Sequence, residues 1–323
     1  MGLLISSASG SVPDYYRQKR AAERREGRTI SNEEFERTFL HVPERSGLSG
    51  GGTSVFDPCV CEMDYTWYTA AGDEILDPFA GGSVRGIVAH HLGRAYTGIE
   101  LRPEQVDANR LQAAEIIGDN PPEWICGDSA NMNALLGGRT FDHIMTCPPY
   151  GDLEQYSDNP ADISNMDDDE FDATYRAILT RAVEHLRDDR FATVVVGNYR
   201  DRRGYLRDLA GITIRAMEDA GARYYNDQIL VTPAGSLPIR TRKQFESSRK
   251  IGRRHQYILT FVKGDPRKAT ERIGAVQLSG LDLSGVQKRT YAFPETANDV
   301  TEYLDTQQDA AGVIVDSVRA CMA

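Results

Sequence analysis

The stretch that decides the fold reads Glu74-Ile75-Leu76-Asp77-Pro78-Phe79-Ala80-Gly81-Gly82-Ser83. A short apolar run ends in an acidic residue, and a glycine-rich turn follows before a helical pattern begins at Val84. A strand that leads through a turn into a helix is the first part of a βαβ unit. In open parallel sheets, ligands bind outside the carboxyl ends of the strands. We therefore predict a ligand-binding turn at residues 77–83.

The alternation of strand-like and helix-like segments continues along the chain. The predicted strands are 74–76, 95–99, 123–126, 143–146, 191–196, 228–231 and 257–262, and the predicted helices are 84–92, 103–117, 170–186 and 205–220. This order predicts a Rossmann-like α/β fold, with a mostly parallel seven-stranded sheet and helices on both faces. A basic segment, not a helical pattern, separates the last two strands, so we expect them to pair antiparallel at the sheet edge.

Composition limits the class of protein. The 323 residues are 40% hydrophobic and 26% charged, which suits a globular chain with a large core. No apolar run is long enough for a membrane-spanning helix, and the N-terminus has the wrong charge order for a secretory signal. The five cysteines are an odd number at scattered positions, which indicates reduced thiols in a cytoplasm.

Three regions are expected along the chain. Residues 1–50 are predicted to be a peripheral arm, in part helical, and residues 51–266 the catalytic domain. The remaining residues, 267–323, turn polar and are predicted to form a small appendage or tail. Oligomeric state does not follow from these patterns.

Charge is strongly segregated. The formal net charge of −11 argues against a polyanionic partner, yet residues 240–254 carry seven Lys or Arg and one Glu. Residues 152–172 carry nine acidic and no basic side chains. The basic stretch is either a solvated loop or a contact surface for nucleic acid. On the second interpretation, the recognition loop spans 236–255 and its phosphate contacts are Arg240, Arg242, Lys243, Arg249, Lys250, Arg253 and Arg254.

Acidic residues follow three successive predicted strands. Asp77 precedes the glycine-rich turn, which suits a ligand with a cationic amine. Glu100 is placed to bind the hydroxyls of a ribose, and Asp128 to accept from an adenine amine. Each of them could instead cap the following helix. Together they indicate a ligand that resembles adenosine.

A second group follows the fourth strand, where the chain reads Thr146-Cys147-Pro148-Pro149-Tyr150-Gly151. Two prolines stiffen the backbone and leave their carbonyls free to accept, and Tyr150 adds a flat ring. The segment is either a tight turn with a packed tyrosine or a pocket for a planar group that bears an amine.

The paired motifs DPFAGG and CPPY resemble those of the prokaryotic and phage DNA amino-methyltransferases, which modify N6 of adenine or N4 of cytosine. The resemblance covers roughly residues 50–266 and includes 94–110, 190–201 and 249–264. It implies that S-adenosylmethionine binds at Asp77, Phe79, Ala80, Gly81, Gly82, Glu100 and Asp128. It also implies a target-base site formed by Cys147, Pro148, Pro149 and Tyr150, and duplex DNA with a flipped base as the partner.

Cys147 departs from the family, which usually has Asp, Asn or Ser at this position. A thiol is a weak acceptor for the target amine. The motif TCPPY is sterically nearer to TSPPY than to DPPY, and this favours N4 of cytosine. Cys147 could also be a packing residue, or a nucleophile on the cytosine ring. An RNA methyltransferase of the same fold and an inactive cofactor-binding homologue remain as alternatives.

Overall fold

A seven-stranded sheet forms the centre of the protein, in a computed structural model that describes Arg28 and residues 56–117, 120–151, 156–201, 203–231 and 237–276. The strands are β1 Glu74–Asp77, β2 Ala95–Glu100, β3 Glu123–Cys126, β4 His143–Thr146, β5 Arg190–Val196, β8 Arg223–Val231 and β9 His255–Lys263. Their order across the sheet is β3-β2-β1-β4-β5-β9-β8. Strands β1 to β5 are parallel, and β9 is antiparallel to both of its neighbours.

The predicted fold class and the antiparallel edge pair are both confirmed. The sequence order reverses at β1 and β4, which are adjacent and parallel. The crevice outside the carboxyl ends of these two strands is where open α/β sheets bind ligands. Because β9 runs in the opposite direction, its first residues, His255 and Gln256, lie at this same rim of the sheet.

Helices cover both faces. They are α1 Pro58–Tyr68, α2 Val84–His91, α3 Pro103–Ile116, α4 Met132–Leu136, α5 Asp168–His185, α6 Leu209–Asp219, α7 Leu237–Ser248 and α8 Pro266–Ile273. On one face, buried residues of α5 and α6 pack against Ala192, Val194 and Val196 of β5. On the other face of the sheet, Tyr68 of α1 and Ala269 of α8 pack with Phe191. The Phe191 side chain points to the face opposite that of Ala192, Val194 and Val196. Successive side chains of β5 therefore pack into two different hydrophobic cores, one on each face of the sheet.

The acidic stretch supplies helix caps. Asp162 accepts from the backbone of Ser164, and Asp167 accepts from Asp169 and Glu170 at the start of α5. Carboxylates are favourable at a helix N-terminus because they meet its unpaired N–H groups and positive dipole end. Residues 152–155 are outside the described part of the chain.

Two predicted segments are wrong in detail. The helix predicted at 205–220 begins at Leu209, because a short hairpin of β6 Tyr199–Arg200 and β7 Leu206–Arg207 precedes it. The basic segment predicted as a loop contains α7, whose small apolar content gives no clear amphipathic pattern. Helix α1 was not predicted, although Asp57 caps its first turn and Pro58 stands at its first position.

Helix α8, which follows residue 265, packs on the domain. Ala269 of α8 is fully buried, and the Arg272 guanidinium binds both oxygens of Asp73 at 2.7 and 2.6 Å. The predicted arm lies outside the described residues except for Arg28, and so do residues 277–323. Within the described residues, every helix is too short or too polar to cross a membrane.

The packing of α8 predicts a contrast between two adjacent positions. Ala269→Asp places a charge between Tyr68 and Phe191, and should lower the free energy of unfolding by about 3 kcal/mol or more. Thr270→Asp changes the exposed neighbour and should stay within about 0.5 kcal/mol of wild type. Urea denaturation measures both. Equal stability of the two variants would mean that α8 is an appendage.

Candidate active site

The glycine-rich turn is held by a buried carboxylate. Asp77 is 0% exposed and accepts four hydrogen bonds. One oxygen accepts from the Phe79 N–H at 3.1 Å and the Thr146 hydroxyl at 2.7 Å. The other accepts from Arg85 Nε at 2.5 Å and the Tyr96 hydroxyl at 2.8 Å. The carboxylate thus links β1 to α2, β2 and β4.

This arrangement changes the interpretation of Asp77. All four bonds are made to groups of the protein itself, and the carboxylate is fully buried. Arg85 adds two bonds to the turn, to the carbonyls of Phe79 and Ala80 at 2.7 and 2.8 Å. Direct contact of Asp77 with a cofactor stays a prediction, and the bonds of the structure add a positioning role in which Asp77 and Arg85 fix the turn.

The turn leaves open space beside its glycines. Gly81 has φ +52°, a left-handed conformation that side chains other than glycine rarely adopt. A Cβ atom built on either Gly81 or Gly82 would have no neighbour within 4 Å. A ligand can therefore approach the backbone here. The next residue, Ser83, is buried and bonds to Gln112 of α3, which anchors the start of α2.

Glu100 lies directly next to this space. One carboxylate oxygen accepts from the Gly81 N–H at 2.9 Å, and the other from the Arg102 N–H at 3.0 Å. The oxygen that accepts from Gly81 retains a lone pair that could accept from a hydroxyl group, while the other also accepts from Arg102 Nε at 3.4 Å. Burial raises the pKa of Glu100, against the opposing effect of the bonds from Arg102 and Gly81.

The other predicted cofactor residues divide into two groups. Asp128 caps a short turn by accepting from the Ala130 N–H at 2.8 Å, and its second oxygen bonds to none of the described residues. Phe79 packs on the main core with its ring 5.9 Å from that of Tyr175, while Ala80 is fully buried and bonds to the Ile99 carbonyl. Phe79 and Ala80 therefore pack against the core and support the turn from the protein interior.

The proline-tyrosine corner begins where β4 ends. Thr146 is buried and donates to Asp77, so the corner and the turn share one hydrogen-bonded support. Cys147, Pro149 and Tyr150 are half-buried, and Pro148 is buried. Gly151 has φ +53°, and any side chain there would clash with the Tyr199 hydroxyl. The corner therefore needs glycine at position 151, where the backbone passes close to Tyr199 of β6.

Tyr150 is held from β9, a contact that the sequence did not reveal. Gln256 Nε2 donates to the Tyr150 hydroxyl, whose oxygen lies 4.0 Å from Cys147 Sγ. The Tyr150 ring lies beside Gly197, and a Cβ atom built on Gly197 would be 3.9 Å from that ring. Gln256 is adjacent to the predicted basic segment, but only the antiparallel placement of β9 brings it to the corner.

The acidic segment approaches the cofactor side of the crevice. The Tyr156 ring lies 5.9 Å from the Arg102 guanidinium, which also contacts Glu100. Asp168 and Asp172 bind Arg207 of the hairpin at 3.1 and 2.6 Å. Part of the negative charge is therefore neutralised within the fold, in addition to its capping role.

The predicted phosphate contacts differ in exposure. Arg242 and Arg249 are exposed, with Arg242 paired to Glu246 at 3.0 Å and Arg249 over the Phe245 ring. Arg254 is also exposed. Arg253 is instead half-buried and donates to His255 at 2.9 Å. Burial lowers the pKa of His255, and the positive charge of Arg253 lowers it further. Arg240 and Lys243 lie on α7, and their side chains are outside the described part.

Short stretches of this chain are similar in sequence to known methyltransferases. It is 42% identical over 65 residues to the type II methyltransferase M.Cfr9I of Citrobacter freundii, which is 20% of each chain. It is 35% identical over 83 residues to the tRNA (guanine(10)-N2)-dimethyltransferase of Pyrococcus abyssi, which is 26% of this chain and 25% of the relative. The matches span about a quarter or less of these relatives, and no family model matches.

Solved structures with a similar arrangement match most of this chain at low sequence identity. TrmN of Thermus thermophilus is 15% identical with a TM-score of 0.45, over 72% of this chain and 55% of that one. The magnesium protoporphyrin IX methyltransferase of Synechocystis PCC 6803, solved with bound SAM, is 13% identical with a TM-score of 0.42, over 71% and 94%. These structures share the arrangement of the fold, while the predicted class of enzyme and methyl donor are part of the proposed function.

The Asp77 contacts predict a loss of stability as well as of ligand binding. Asp77→Ala leaves the Arg85 guanidinium buried without its partner, and should lower the free energy of unfolding by about 3–5 kcal/mol. Asp107→Ala removes a carboxylate that is 73% exposed and should cost less than about 0.5 kcal/mol. Urea denaturation of both variants measures the difference. Wild-type stability of Asp77→Ala would contradict the positioning role.

From the raised pKa of Glu100 we predict that cofactor affinity depends on pH. If its carboxylate accepts from ribose hydroxyls, affinity for S-adenosylmethionine should fall as acidification passes the raised pKa. Protonation of a group whose pKa rises on folding favours the folded state, so unfolding would not cause the loss. Glu100→Gln should bind about tenfold or more weakly at neutral pH and show a flatter profile. Calorimetric titration across about pH 5–7.5 tests this; parallel profiles would exclude Glu100.

Proposed function

We propose that this protein is a DNA methyltransferase that transfers a methyl group from S-adenosylmethionine to an exocyclic amine of a base. The favoured atom is N4 of cytosine, with N6 of adenine as the other member of the class. The observation that carries the proposal is the hydrogen bond from Thr146 to Asp77, which joins the glycine-rich turn and the proline-tyrosine corner at one crevice. A methyl donor and a planar acceptor can meet there.

The residues on the turn fit the methyl donor. The open backbone at Gly81 and Gly82 admits a ligand, and the Glu100 oxygen next to Gly81 offers an acceptor for the ribose. The Asp128 oxygen that bonds to none of the described residues offers one for the adenine amine. When bound, S-adenosylmethionine supplies an electrophilic methyl group on a sulfonium. The task of the protein is then to hold the target amine in line with that methyl group.

The corner is suited to hold the target base. The Tyr150 ring offers a stacking face, and the Gln256 contact fixes its hydroxyl end. The carbonyls of the corner can accept from the amine hydrogens, which withdraws the nitrogen lone pair from the ring and makes it available for attack. Cys147 lies beside Tyr150 and would add only a weak acceptor. A base in duplex DNA must be flipped out to reach this crevice.

The choice of DNA is supported by the motif resemblance and by similarity to type II methyltransferases of Citrobacter freundii and Xanthomonas campestris pv. cyanopsidis. The exposed arginines at the same rim provide positive charge for phosphates. A second candidate is RNA, which the similarity to the Pyrococcus abyssi tRNA enzyme favours. Both candidates use the same crevice.

Methyl transfer to defined nucleic acids separates the candidates. The protein is incubated with radiolabelled S-adenosylmethionine and unmethylated DNA or tRNA, and the nucleosides are analysed by mass spectrometry. We expect N4-methylcytosine in DNA, and label in tRNA alone would overturn the choice of DNA. Cofactor binding without transfer to either substrate would indicate an inactive homologue.

Substitution of Cys147 tests the role of the residue that differs from the family motif. Cys147→Ser exchanges a weak acceptor for a hydroxyl of similar size, so turnover should be retained or rise several-fold. Tyr150→Ala should lower turnover at least tenfold through loss of base stacking while cofactor affinity stays unchanged. Single-turnover assays and calorimetry measure the two effects. Complete loss of turnover in Cys147→Ser would instead favour a nucleophilic thiol.

A further inference from the structure

Two basic segments that are far apart in sequence meet at the rim of the crevice. The hairpin of residues 199–207 carries four arginines and one aspartate, and the basic strip of residues 240–254 carries seven basic side chains and one glutamate. They touch where the Lys250 ammonium packs on the hairpin turn, so that a Cβ atom on Gly204 would clash with it. The hairpin is built into the domain by Arg207, which pairs with Asp168 and Asp172.

This meeting of basic segments offers a surface for an anion. Asp168, Asp172 and Asp201 neutralise part of the positive charge of the hairpin, but the basic strip carries seven basic side chains against one glutamate. Asp201 pairs with Arg203 at 3.4 Å, yet 77% of the Arg203 side chain stays exposed. The hairpin therefore presents a guanidinium to solvent next to Lys250, a pattern that suits phosphates.

Exposed apolar side chains lie among these charges. Tyr205 is 70% exposed and Ile251, next to Lys250, is 71% exposed. The Arg203 guanidinium lies 5.8 Å from the Tyr205 ring centre, so the ring and the cation form one surface. An aromatic ring beside basic side chains is the combination that binds unstacked bases along a sugar-phosphate backbone.

The root of the hairpin places this surface beside the target-base corner. Tyr199 contacts Gly151, which directly follows Tyr150, and Gly197 passes the Tyr150 ring. The exposed Tyr205 lies in the same short hairpin, in the turn between β6 and β7. A strand whose base enters the crevice would therefore extend over the hairpin.

We propose that the hairpin is a second nucleic-acid contact, in which Arg203 binds a phosphate and Tyr205 stacks on a base that neighbours the flipped target. The hairpin and the basic strip would form the two sides of one groove. This inference rests on the proposed function, since it takes nucleic acid as the substrate. It extends the contact surface beyond the strip predicted from sequence.

Binding of a fluorescently labelled mixed-sequence DNA duplex at several salt concentrations tests the proposal. Arg203→Ala should weaken binding about threefold to tenfold at low salt, and reduce the slope of log affinity against log salt by about one. Tyr205→Ala should weaken binding about fivefold or more with an unchanged slope, and Tyr205→Phe should restore it because the ring is kept. These two signatures separate the phosphate contact from the stacking contact.

Arg267→Ala is the matched control, because Arg267 is an exposed arginine on α8 at the opposite rim. Calorimetric binding of S-adenosylmethionine checks that each variant is folded. If wild type binds DNA and the hairpin variants behave like Arg267→Ala, the hairpin contact is overturned while the proposed function stands. If wild type binds neither DNA nor tRNA, the proposed function itself fails, and the hairpin inference with it.

Discussion

The buried carboxylate of Asp77 is the interaction on which the candidate site depends. Its four hydrogen bonds come from the glycine-rich turn, α2, β2 and β4, so a single group sets the relative position of the turn and the corner. Arg85 balances the charge and binds two carbonyls of the turn. Removal of either partner would leave a buried charge, which is far more costly than loss of a surface pair. The geometry of the crevice is thus coupled to the stability of the domain.

Topology explains why the remaining groups meet at one rim. Parallel strands β1 to β4 deliver their carboxyl ends there, and each carries a polar residue or turn that could touch a ligand. The reversed β9 brings Gln256 to Tyr150, and the chain between β8 and β9 brings the basic strip. The hairpin after β5 adds a second basic element. A protein with excess negative charge thereby presents positive charge where a nucleic acid would approach.

Much of the fold could be predicted because strand and helix periods are local properties of the sequence. The strands, the glycine-rich turn, the proline-tyrosine corner and the antiparallel edge follow from such patterns. The role of Asp77 could not be predicted in this way, because its partners Arg85, Tyr96 and Thr146 come from three separate elements. The contact between Gln256 and Tyr150 could not be predicted for the same reason. Helix α7 lacks an apolar period that would distinguish it from a solvated loop.

A crystal structure with bound S-adenosylhomocysteine would test the central claim most directly. The account predicts that the ligand lies over Gly81 and Gly82 with its ribose at Glu100 and its sulfur directed toward the corner at Cys147–Tyr150. Density for the ligand at the opposite rim, near the buried pair of His143 and Asp64, would contradict it. So would a sulfur that points away from Tyr150, because no base held at the corner could then receive the methyl group.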